Sequence, residues 1–198
     1  MLIGLVGLIS SGKNTVADRL VEKHGYKRDS FAKSLKDAVS SMFNWDRKML
    51  EGDTASSRHW REQPDAFWSE RFGKPITPRW VLQYFGTEVM RQGMYDAIWV
   101  DSVIGRYKGE KTVISDTRFQ NEIKTIKAHG GMIVLVSRGP VPTREEMQKQ
   151  GIHQSEWDWV GSDFDYIIDN TSSLVGLNAH IDHFIDQLQG HPSSNVTS

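Results

Sequence analysis

The pattern of apolar positions along the chain switches repeatedly between the period of a buried strand and the period of an amphipathic helix. Leu2–Val6 is a short apolar run, which predicts a buried strand, and apolar residues then recur at helical spacing over Gly12–His24. The predicted helix has one apolar face, formed by Val16, Ala17, Leu20 and Val21. The chain therefore begins with a strand, a glycine-containing loop and a helix.

The same alternation returns further along the chain. Strands are predicted at Lys27–Phe31, Thr112–Ser115, Met132–Ser137 and Tyr166–Ile168. Helices are predicted at Lys33–Phe43, Arg79–Arg91, Tyr95–Tyr107 and Phe119–His129, with a last helix that carries Leu174, Leu177, Ile181, Phe184, Ile185 and Leu188. The inward residues of the first two of these helices are expected to be Leu35, Val39 and Met42, and Val81, Leu82, Phe85 and Val89. Strands that alternate with helices favour the α/β class, with a mostly parallel sheet flanked by helices.

Two segments interrupt this alternation. Residues from Asn44 to about Pro78 hold several aromatic side chains among arginine and lysine residues, and we interpret them as an insertion on the substrate side. Gly139–Gly161 is polar and contains several glycine and proline residues, a composition that fits a mobile lid. The tail His191–Ser198 is expected to fray.

Length and composition limit the classes of protein that the chain can represent. The 198 residues suit one domain, and a net charge of −1 gives no broad basic field of the kind that drives nucleic-acid binding. Cysteine is absent, which excludes disulfides, thiolate catalysis and cysteine metal sites. The first apolar run lacks a basic leader, and no run approaches the roughly 18 apolar residues of a membrane span. We therefore expect a cytoplasmic protein with no signal peptide and with neither a nucleic-acid nor a membrane partner.

The loop after the first strand carries the strongest chemical signal. Gly7 and Gly12 lack bulky side chains, so backbone N–H groups can converge on phosphate oxygens, and Lys13 can reach the β- and γ-phosphates. The helix that follows offers its positive N-terminus to the same anion. These residues predict a phosphate-binding P-loop of the Walker A type. Asn14 stands where this motif has serine or threonine, and the hydroxyl comes one place later, at Thr15.

Charged residues also follow other predicted strands at their carboxyl ends, where parallel sheets bind ligands. Asp116 follows the strand Thr112–Ser115 and suits a Walker-B-type carboxylate that orders Mg²⁺ together with the Thr15 hydroxyl. The alternative is that Asp116 caps the helix that begins near Phe119. The positive charge that phosphoryl transfer needs could come from Lys13, Arg118, Arg138 and Arg144.

One predicted helix suits a nucleotide monophosphate. Arg79, Gln83 and Thr87 are four residues apart and would lie on one helical side, with arginine for phosphate and glutamine for a base edge. Trp80 or Tyr84 could stack on the base. The alternative is a solvated helix face, and the same holds for Lys33 and Lys36, which could otherwise meet the substrate phosphate.

Four motifs together resemble one family. They are GKNT at Gly12–Thr15, LQYFGTEVMR at Leu82–Arg91, DTRFQNE at Asp116–Glu122 and HQSE at His153–Glu156. In this combination, and over most of its length, the chain resembles the bacteriophage-type deoxynucleoside monophosphate kinases of the P-loop nucleoside monophosphate kinase superfamily. The resemblance implies a P-loop kinase fold with a monophosphate-binding region and a lid. It also implies Mg²⁺-dependent transfer of the γ-phosphate of ATP to a deoxynucleoside monophosphate, in the host-cell cytoplasm if a phage encodes the protein.

The resemblance also assigns roles to residues. A single domain would comprise a core at 1–43, 108–138 and 162–190, a monophosphate-binding region at 44–107 and a lid at 139–161. The ATP site would comprise Ser11, Gly12, Lys13, Asn14, Thr15 and Arg138, with Asn170 and Thr171 near the adenine. The monophosphate site would comprise Lys33, Arg79, Trp80, Gln83, Thr87, Glu88, Arg91 and Arg118. Catalysis would rest on Lys13, Asp116, Arg118 and Arg144, and the metal would bind Thr15 and Asp116.

Several alternatives stay open at this point. Between Gly139 and Gly161 only Arg144 is an arginine, whereas kinase lids of this superfamily often have more than one. Another small-molecule kinase of similar build, such as a dephospho-coenzyme A kinase, or a non-catalytic P-loop nucleotide-binding module would use the same loop. The accepted base and sugar are open, and the aromatic-rich insertion suits a homodimer interface as readily as a pocket.

Overall fold

The structure is a computed structural model, and it describes residues 1–190. The predicted fraying of His191–Ser198 concerns residues outside this range. Contacts group the chain into two compact units. Unit 1 contains Met1–Arg28, Gly109–Ile152 and the chain from Glu156 onward, and unit 2 contains Asp29–Lys108 and His153–Ser155.

Helices and strands alternate as the sequence predicts. The strands are β1 (Leu2–Val6), β2 (Lys27–Asp29), β3 (Thr112–Ile114), β4 (Met132–Ser137) and β5 (Tyr166–Asp169). The helices of unit 1 are α1 (Lys13–His24), α7 (Gln120–Ala128), α8 (Arg144–Lys149) and α9 (Leu174–Gly190). A 3₁₀ turn spans Gln154–Glu156. The helices of unit 2 are α2 (Ala32–Phe43), α3 (Ala55–Glu62), α4 (Ala66–Phe72), α5 (Pro78–Tyr84), a π-helix (Phe85–Gln92) and α6 (Ile98–Arg106).

A five-stranded sheet with the order β2-β3-β1-β4-β5 organises unit 1. The strand β1 pairs in parallel with β3 and with β4, and β4 pairs in parallel with β5. The chain leaves β1 toward β2 and leaves β4 toward β5, so these neighbouring strands send their connections in opposite directions. The carboxyl ends of β1 and β4 therefore flank a switch point, which is where open α/β sheets bind ligands.

Side chains of the sheet alternate between two faces. Ile3 and Leu5 belong to one buried cluster with the apolar residues of α1 and α9. Gly4 lies between them in sequence and faces α7, because a Cβ on Gly4 would lie 2.5 Å from the Cδ1 of Ile126. Glycine at this position lets α7 approach the centre of the sheet, and the helices cover both faces as the α/β class requires.

The insertion that follows α2 is helical, and its aromatic residues pack on one another. The ring of Phe43 stacks on that of Trp45 at 4.6 Å, and the edge of Trp60 meets Trp45 at 6.0 Å. The indole N–H of Trp45 donates to Asp65, whose other carboxylate oxygen caps α4 through the N–H of Trp68. Most tryptophans of the insertion therefore hold unit 2 together, which leaves fewer of them for a ligand.

The predicted single helix Arg79–Arg91 is wrong in its second half. It begins at Pro78 behind the cap Thr77, but from Phe85 the backbone continues as a π-helix, in which each N–H bonds to the carbonyl five residues back. The indole N–H of Trp99 donates to the carbonyl of Gly86 at 2.9 Å, and an extra donor on a helical carbonyl disturbs the regular ladder.

Other differences from the predicted pattern are small. The strand β2 ends at Asp29 rather than Phe31, which is buried at the start of α2. Four residues predicted to point inward are exposed: Val21, Met42, Val89 and Leu174. Leu174 is the first residue of α9, and Val89 lies in the π-helix, where the helical period differs from the predicted one. Within residues 1–190, every helix is too short or too polar to cross a membrane.

Candidate functional site

The loop after β1 is built around glycine. Gly7, Ser10 and Gly12 have positive φ angles of 149°, 63° and 106°. A Cβ on Gly7 would lie 2.4 Å from the carbonyl oxygen of Val136, and one on Gly12 would lie 2.3 Å from the Nδ2 of Asn170. Both the backbone angles and the close neighbours therefore require glycine at these two positions.

The same loop presents donors suited to an anion. The N-cap of α1 is Gly12, which has no side chain to occupy the first N–H groups of the helix. The hydroxyl of Ser11 is buried and has no hydrogen-bond partner within residues 1–190. Such a group is costly unless a ligand or water satisfies it. The loop therefore fits a phosphate chain, as the sequence predicts.

Lys13 lies over this loop. Its Nζ donates to the carbonyl oxygens of Gly7 at 2.7 Å and of Leu8 at 2.8 Å. Burial lowers the pKa of Lys13 to about 8, and the positive charge of Arg118 is the second cause of this shift. The negative charges of Glu156 and Asp116 act in the opposite direction and raise the pKa. The ammonium group is thus held by two backbone carbonyl groups, which carry only partial negative charge. A bound phosphate would offer it a full negative charge instead.

A cavity of about 260 Å³ opens beside the loop, at the switch point of the sheet. Two segments line it, Leu8–Ser11 after β1 and Val136–Val141 from the end of β4. Arg138, which the sequence places at the ATP site, belongs to the second segment and is exposed. The cavity therefore combines a phosphate-binding loop, a cation and the apolar side chains of Pro140 and Val141.

Asp116 follows β3, but it does not cap α7. The N-cap of that helix is Phe119, and the N–H groups of Arg118 and Phe119 donate to the Oε2 of Glu122 at 2.7 and 3.0 Å. Glu122 is buried, so this contact replaces a cap from Asp116. The alternative of a purely capping Asp116 is therefore wrong.

Arg118 is held by an acidic side chain from the 3₁₀ turn. Its Nη1 lies 2.7 Å from the Oε1 of Glu156, whose side chain is 12% exposed. Although burial opposes the charged form, the carboxylates of Glu156 and Asp116 raise the pKa of Arg118. Lys13, Asp116, Arg118 and Glu156 thus form one interacting group of charges in unit 1, which we call the transfer cluster.

Magnesium would have few protein ligands here. No group of three or more histidine or acidic side chains within the described range could hold a metal ion. Mg²⁺ at phosphate sites typically uses one or two protein ligands, several waters and the phosphates themselves. A hydroxyl at Thr15 and a carboxylate at Asp116 fit that donor set, and their role in metal binding stays a prediction.

Three other residues predicted for the ATP site make contacts within the protein. The Oδ1 of Asn14 accepts a hydrogen bond from Arg28 at 2.7 Å. The buried amide of Asn170 donates to the Ser11 carbonyl at 2.8 Å and so braces the P-loop. The hydroxyl of Thr171 donates to Asp169 at 3.0 Å. A contact of Asn170 or Thr171 with adenine stays a prediction.

Arg144, the predicted catalytic arginine of the lid, bonds to backbone in this structure. Its Nε donates to the Val160 carbonyl at 2.6 Å and its Nη2 to the Asp158 carbonyl at 2.7 Å. Both carbonyls belong to the same predicted lid segment, which also buries Trp159. The arginine therefore closes the segment on itself, and its action at a phosphate stays a prediction.

In unit 2, the predicted substrate residues fall into two groups. Arg79 pairs with Glu62 at 3.3 Å, and the ring of Trp80 stacks on that of Tyr84 at 4.9 Å. Gln83 is partly buried on α5, and Lys33 is exposed near the start of α2. These residues and the stacked pair form the accessible group.

The second group lies on the π-helix. Thr87 is buried and does not continue the row of Arg79 and Gln83. The helix changes from α to π at Phe85, so residues four apart no longer lie one above another on the same face. Arg91 is also buried, and its Nη1 donates to the backbone carbonyl of Asp96 at 3.0 Å. The predicted stripe of three residues is therefore interrupted: Thr87 is buried, and Arg91 contacts Asp96.

Glu88 pairs with the histidine of the HQSE motif, within unit 2. The Nδ1 of His153 accepts from the N–H of Ser155 at 3.2 Å, so the ring proton lies on Nε2, which donates to the Oε1 of Glu88 at 2.9 Å. The Oε2 of Glu88 is buried and lacks a hydrogen-bond partner within the described residues. Two of the four motifs are thus joined by one hydrogen bond.

Two residues beside the site were not predicted from the sequence. Glu156 is the last letter of HQSE, and its place in that motif was the available signal. Arg28 contacts Asn14, Asp18 and Ser115, and nothing in its local sequence marks it. Both act through contacts that are distant along the chain.

Comparison with known proteins places the chain by its sequence. No protein-family model matches the chain. A curated protein of Acanthamoeba polyphaga mimivirus, named "Putative deoxynucleotide monophosphate kinase", is 34% identical over 152 residues, which cover 70% of this chain and 74% of that protein.

Solved structures that resemble the chain are more distant in sequence. The shikimate kinase of Aquifex aeolicus is 13% identical, with 96% of this chain and 97% of that chain covered and a TM-score of 0.48. A dephospho-CoA kinase of Campylobacter jejuni is 13% identical, with 94% and 96% covered and a TM-score of 0.42. Similarity at this level carries no information about the substrate.

Proposed function

Since this chain belongs to the family of deoxynucleotide monophosphate kinases, we propose that it transfers the γ-phosphoryl group of ATP to a deoxynucleoside monophosphate. The observation that carries the proposal is the transfer cluster of Lys13, Asp116, Arg118 and Glu156, in the same unit as a glycine-built anion loop. Phosphoryl transfer depends mainly on positioning and on positive charge around the migrating group.

Unit 1 would bind ATP. Residues from Ser11 to Thr15 would surround the phosphates, because the first N–H groups of α1 and the unpartnered Ser11 hydroxyl are the donors that phosphate oxygens need. Arg138 would meet the nucleotide in the cavity beside the loop. The Lys13 ammonium would exchange its two carbonyl partners for phosphate oxygens.

Magnesium would be held by the Thr15 hydroxyl and the Asp116 carboxylate, directly or through water. When bound, the ion would offset negative charge on the phosphates. The residues of the protein have the complementary task of orienting ATP and surrounding the transferred group. We propose Lys13 and Arg118 for that task, since cations at the migrating phosphoryl group stabilise its developing charge.

Unit 2 would bind the monophosphate. Its stacked pair of Trp80 and Tyr84, of which Tyr84 is exposed, offers a flat surface for a base, and Arg79 and Lys33 offer charge for the phosphate. Gln83 offers an amide with both a donor and an acceptor. We propose that unit 2 corresponds to the monophosphate-binding region and that 139–161 is the lid.

In the proposed reaction, a phosphate oxygen of the monophosphate attacks the γ-phosphorus of ATP. The bond between that phosphorus and the bridging oxygen of ADP breaks, so the products are the deoxynucleoside diphosphate and ADP. The transferred group carries negative charge on its three outer oxygens, which explains why cations matter more than a general base. Arg144 would join this site only after leaving its two backbone partners.

A panel assay tests the proposal. Purified protein is mixed with ATP, Mg²⁺ and each common deoxynucleoside monophosphate, and ADP release is followed. We expect turnover with at least one of them. Lys13→Ala should lower kcat by at least about 100-fold, the range seen when a group that stabilises the transition state is removed. Folded wild-type protein that turns over none of the monophosphates would contradict the proposal.

Additional substrates separate the alternatives. Turnover of dephospho-coenzyme A instead of any deoxynucleoside monophosphate would identify the alternative kinase. ATP binding without turnover of any acceptor would indicate a non-catalytic module. A parallel panel of ribonucleoside monophosphates tests the sugar preference, and light scattering tests the predicted choice between monomer and homodimer.

A further inference from the structure

Within the transfer cluster, the carboxylate of Glu156 contacts the guanidinium of Arg118. The Oε1 of Glu156 lies 2.7 Å from the Nη1 of Arg118, and the Glu156 side chain is only 12% exposed. A charged hydrogen bond of this length in a shielded position is stronger and more directional than a surface ion pair. The pair is therefore able to fix the orientation of a guanidinium group.

The backbone on both sides of this pair is anchored. The carbonyl of Glu156 accepts a hydrogen bond from the indole of Trp159 at 3.0 Å, and Trp159 is fully buried. On the other side, the N–H of Arg118 donates to the buried Glu122 at 2.7 Å. Since the backbone is held at both Glu156 and Arg118, the part of the pair that can still move is the long side chain of Arg118. The contact with the Glu156 carboxylate restricts that movement.

Electrostatics explain why such a restraint is needed. Arg118 and Lys13 are both cations, and they lie close enough to repel each other while phosphate is absent. The Arg118 side chain is 37% exposed, so loss of the contact with Glu156 would give its guanidinium more freedom to turn toward water. Glu156 attracts both cations and thereby offsets their repulsion.

We infer that Glu156 is a positioning residue for phosphoryl transfer: its carboxylate holds the Arg118 guanidinium in the orientation that meets the migrating phosphoryl group. The inference rests on the proposed function for the identity of the reaction. It assigns a task to the HQSE motif, whose glutamate supplies the restraint. Glu156 itself touches neither reactant in this scheme, so its effect passes through Arg118.

Variants of Glu156 test this inference in the kinase assay. Glu156→Gln keeps the size of the side chain but removes its charge, and we expect kcat to fall about 10- to 100-fold, somewhat less than the loss of a whole transition-state donor. The KM for ATP should stay within about threefold. Glu156→Asp should recover part of kcat. Glu145→Gln, an exposed acid on α8 in the same segment, is the matched control and should behave like wild type.

A double-mutant cycle separates positioning from a general structural effect. In an Arg118→Ala background, Glu156→Gln should change kcat by less than about threefold, because the residue through which it acts is gone. An equal loss in both backgrounds, or an unchanged kcat in the single variant, would overturn the inference.

A readout without turnover completes the test. In ¹⁵N NMR spectra, the guanidinium signals that disappear in Arg118→Ala should show slow proton exchange in wild type and fast exchange in Glu156→Gln. Slow exchange in Glu156→Gln would overturn the inference even where activity is lost. Absence of turnover in wild type would refute the proposed function, while these signals would still decide whether Glu156 restrains Arg118.

Discussion

Arg28 donates a hydrogen bond of 2.7 Å from its Nη2 to the Oδ1 of Asn14, the residue that makes the P-loop unusual. The same guanidinium donates to Asp18 at 2.7 Å and to the hydroxyl of Ser115 at 3.2 Å. It therefore connects the first turns of α1 to the end of β3, directly before Asp116. Asn14 is neutral, and the charge of its partner Arg28 is balanced by the carboxylate of Asp18.

We expect Arg28→Met to weaken ATP binding by about 3- to 30-fold, in proportion to the loss of one or two charge-assisted hydrogen bonds. Asn14→Ala should have a smaller effect, because Arg28 keeps Asp18 and Ser115. Titration calorimetry with ATP measures both. The global stability should change by less than about 1 kcal/mol, since the side chain is partly exposed.

The control for this prediction is Lys27→Met, which removes a neighbouring cation paired with Glu110. It should leave ATP affinity unchanged. The double variant of Arg28 and Asn14 should resemble Arg28→Met alone. Equal ATP affinity in Arg28→Met and Lys27→Met would show that the contact with Asn14 has no role in the nucleotide site.

Gly12 is a position of the loop at which the backbone requires glycine. Gly12→Ala would require a positive φ for a residue with a side chain and would bring its Cβ to 2.3 Å from the amide of Asn170, which holds the Ser11 carbonyl. We expect the free energy of unfolding to fall by about 2–4 kcal/mol, from backbone strain and a lost buried hydrogen bond. ATP affinity should fall as well. Denaturant titration and calorimetry measure the two effects.

Gly105 offers a matched control on the helix α6. A Cβ at Gly105 would meet no atom within 4 Å, and its φ is not positive. Gly105→Ala should therefore be neutral or stabilise the protein by up to about 1 kcal/mol, as expected for alanine in a helix. If Gly12→Ala were as well tolerated as Gly105→Ala, the glycine requirement of the loop would be disproved.

The sequence predicted most of the unit that carries the P-loop, because the signals there are local. Glycine before and after the loop, a buried run before it and a helical period after it all lie within a short stretch around Lys13. The predicted α/β class is confirmed by the parallel sheet of β1, β3, β4 and β5. Local propensity and tertiary structure agree in this region.

The remaining features could not be predicted from the sequence, because they depend on contacts between residues that are distant along the chain. Trp99 reaches the carbonyl of Gly86 and accompanies a π-helix that no periodicity predicts. Asn170 lies next to Gly12 only after the sheet has formed, and its bracing of Ser11 follows from that. Glu156 and Arg118 are likewise brought together by the fold. Short motifs in the sequence therefore indicate the kind of site, whereas the contacts that shape it form between residues distant along the chain.

Tyr84 is the better candidate for base stacking in unit 2. Trp80 has the ring of Tyr84 against it and the Lys74 ammonium 4.3 Å from its ring centre, whereas Tyr84 is 46% exposed. We expect Tyr84→Ala to raise the KM for the deoxynucleoside monophosphate about 5- to 100-fold, since stacking on one base contributes about 1–3 kcal/mol. The KM for ATP should not change.

Tyr84→Phe separates the ring from its hydroxyl and should keep the KM close to wild type. The control is Phe67→Ala, another exposed aromatic residue of unit 2. A substrate KM that rises equally in Phe67→Ala and Tyr84→Ala would point to a general loss of structure rather than to stacking.

Asp182 links α9 to the end of α1 and gives the fold a dependence on pH. Its carboxylate accepts hydrogen bonds from Arg19 at 2.7 Å, Lys23 at 2.6 Å and His24 at 2.8 Å. The hydrogen bond from Arg19, with those from Lys23 and His24, holds the pKa of Asp182 well below its usual range, against the effect of burial. A lowered pKa in the folded state means that the carboxylate stabilises the protein above the unfolded pKa of about 3.9.

We expect Asp182→Asn to reduce the free energy of unfolding at pH 7 by about 1 kcal/mol, a value kept small because the group is partly solvated. The difference from wild type should shrink as the pH falls from about 5 through the lowered pKa of Asp182, because the wild-type carboxylate is then protonated too. Asp186→Asn, an exposed acid one turn further along α9, should show neither effect. Denaturant titrations at several pH values measure these differences, and a gap between wild type and Asp182→Asn that widens toward acid would show that the sign of the linkage is wrong.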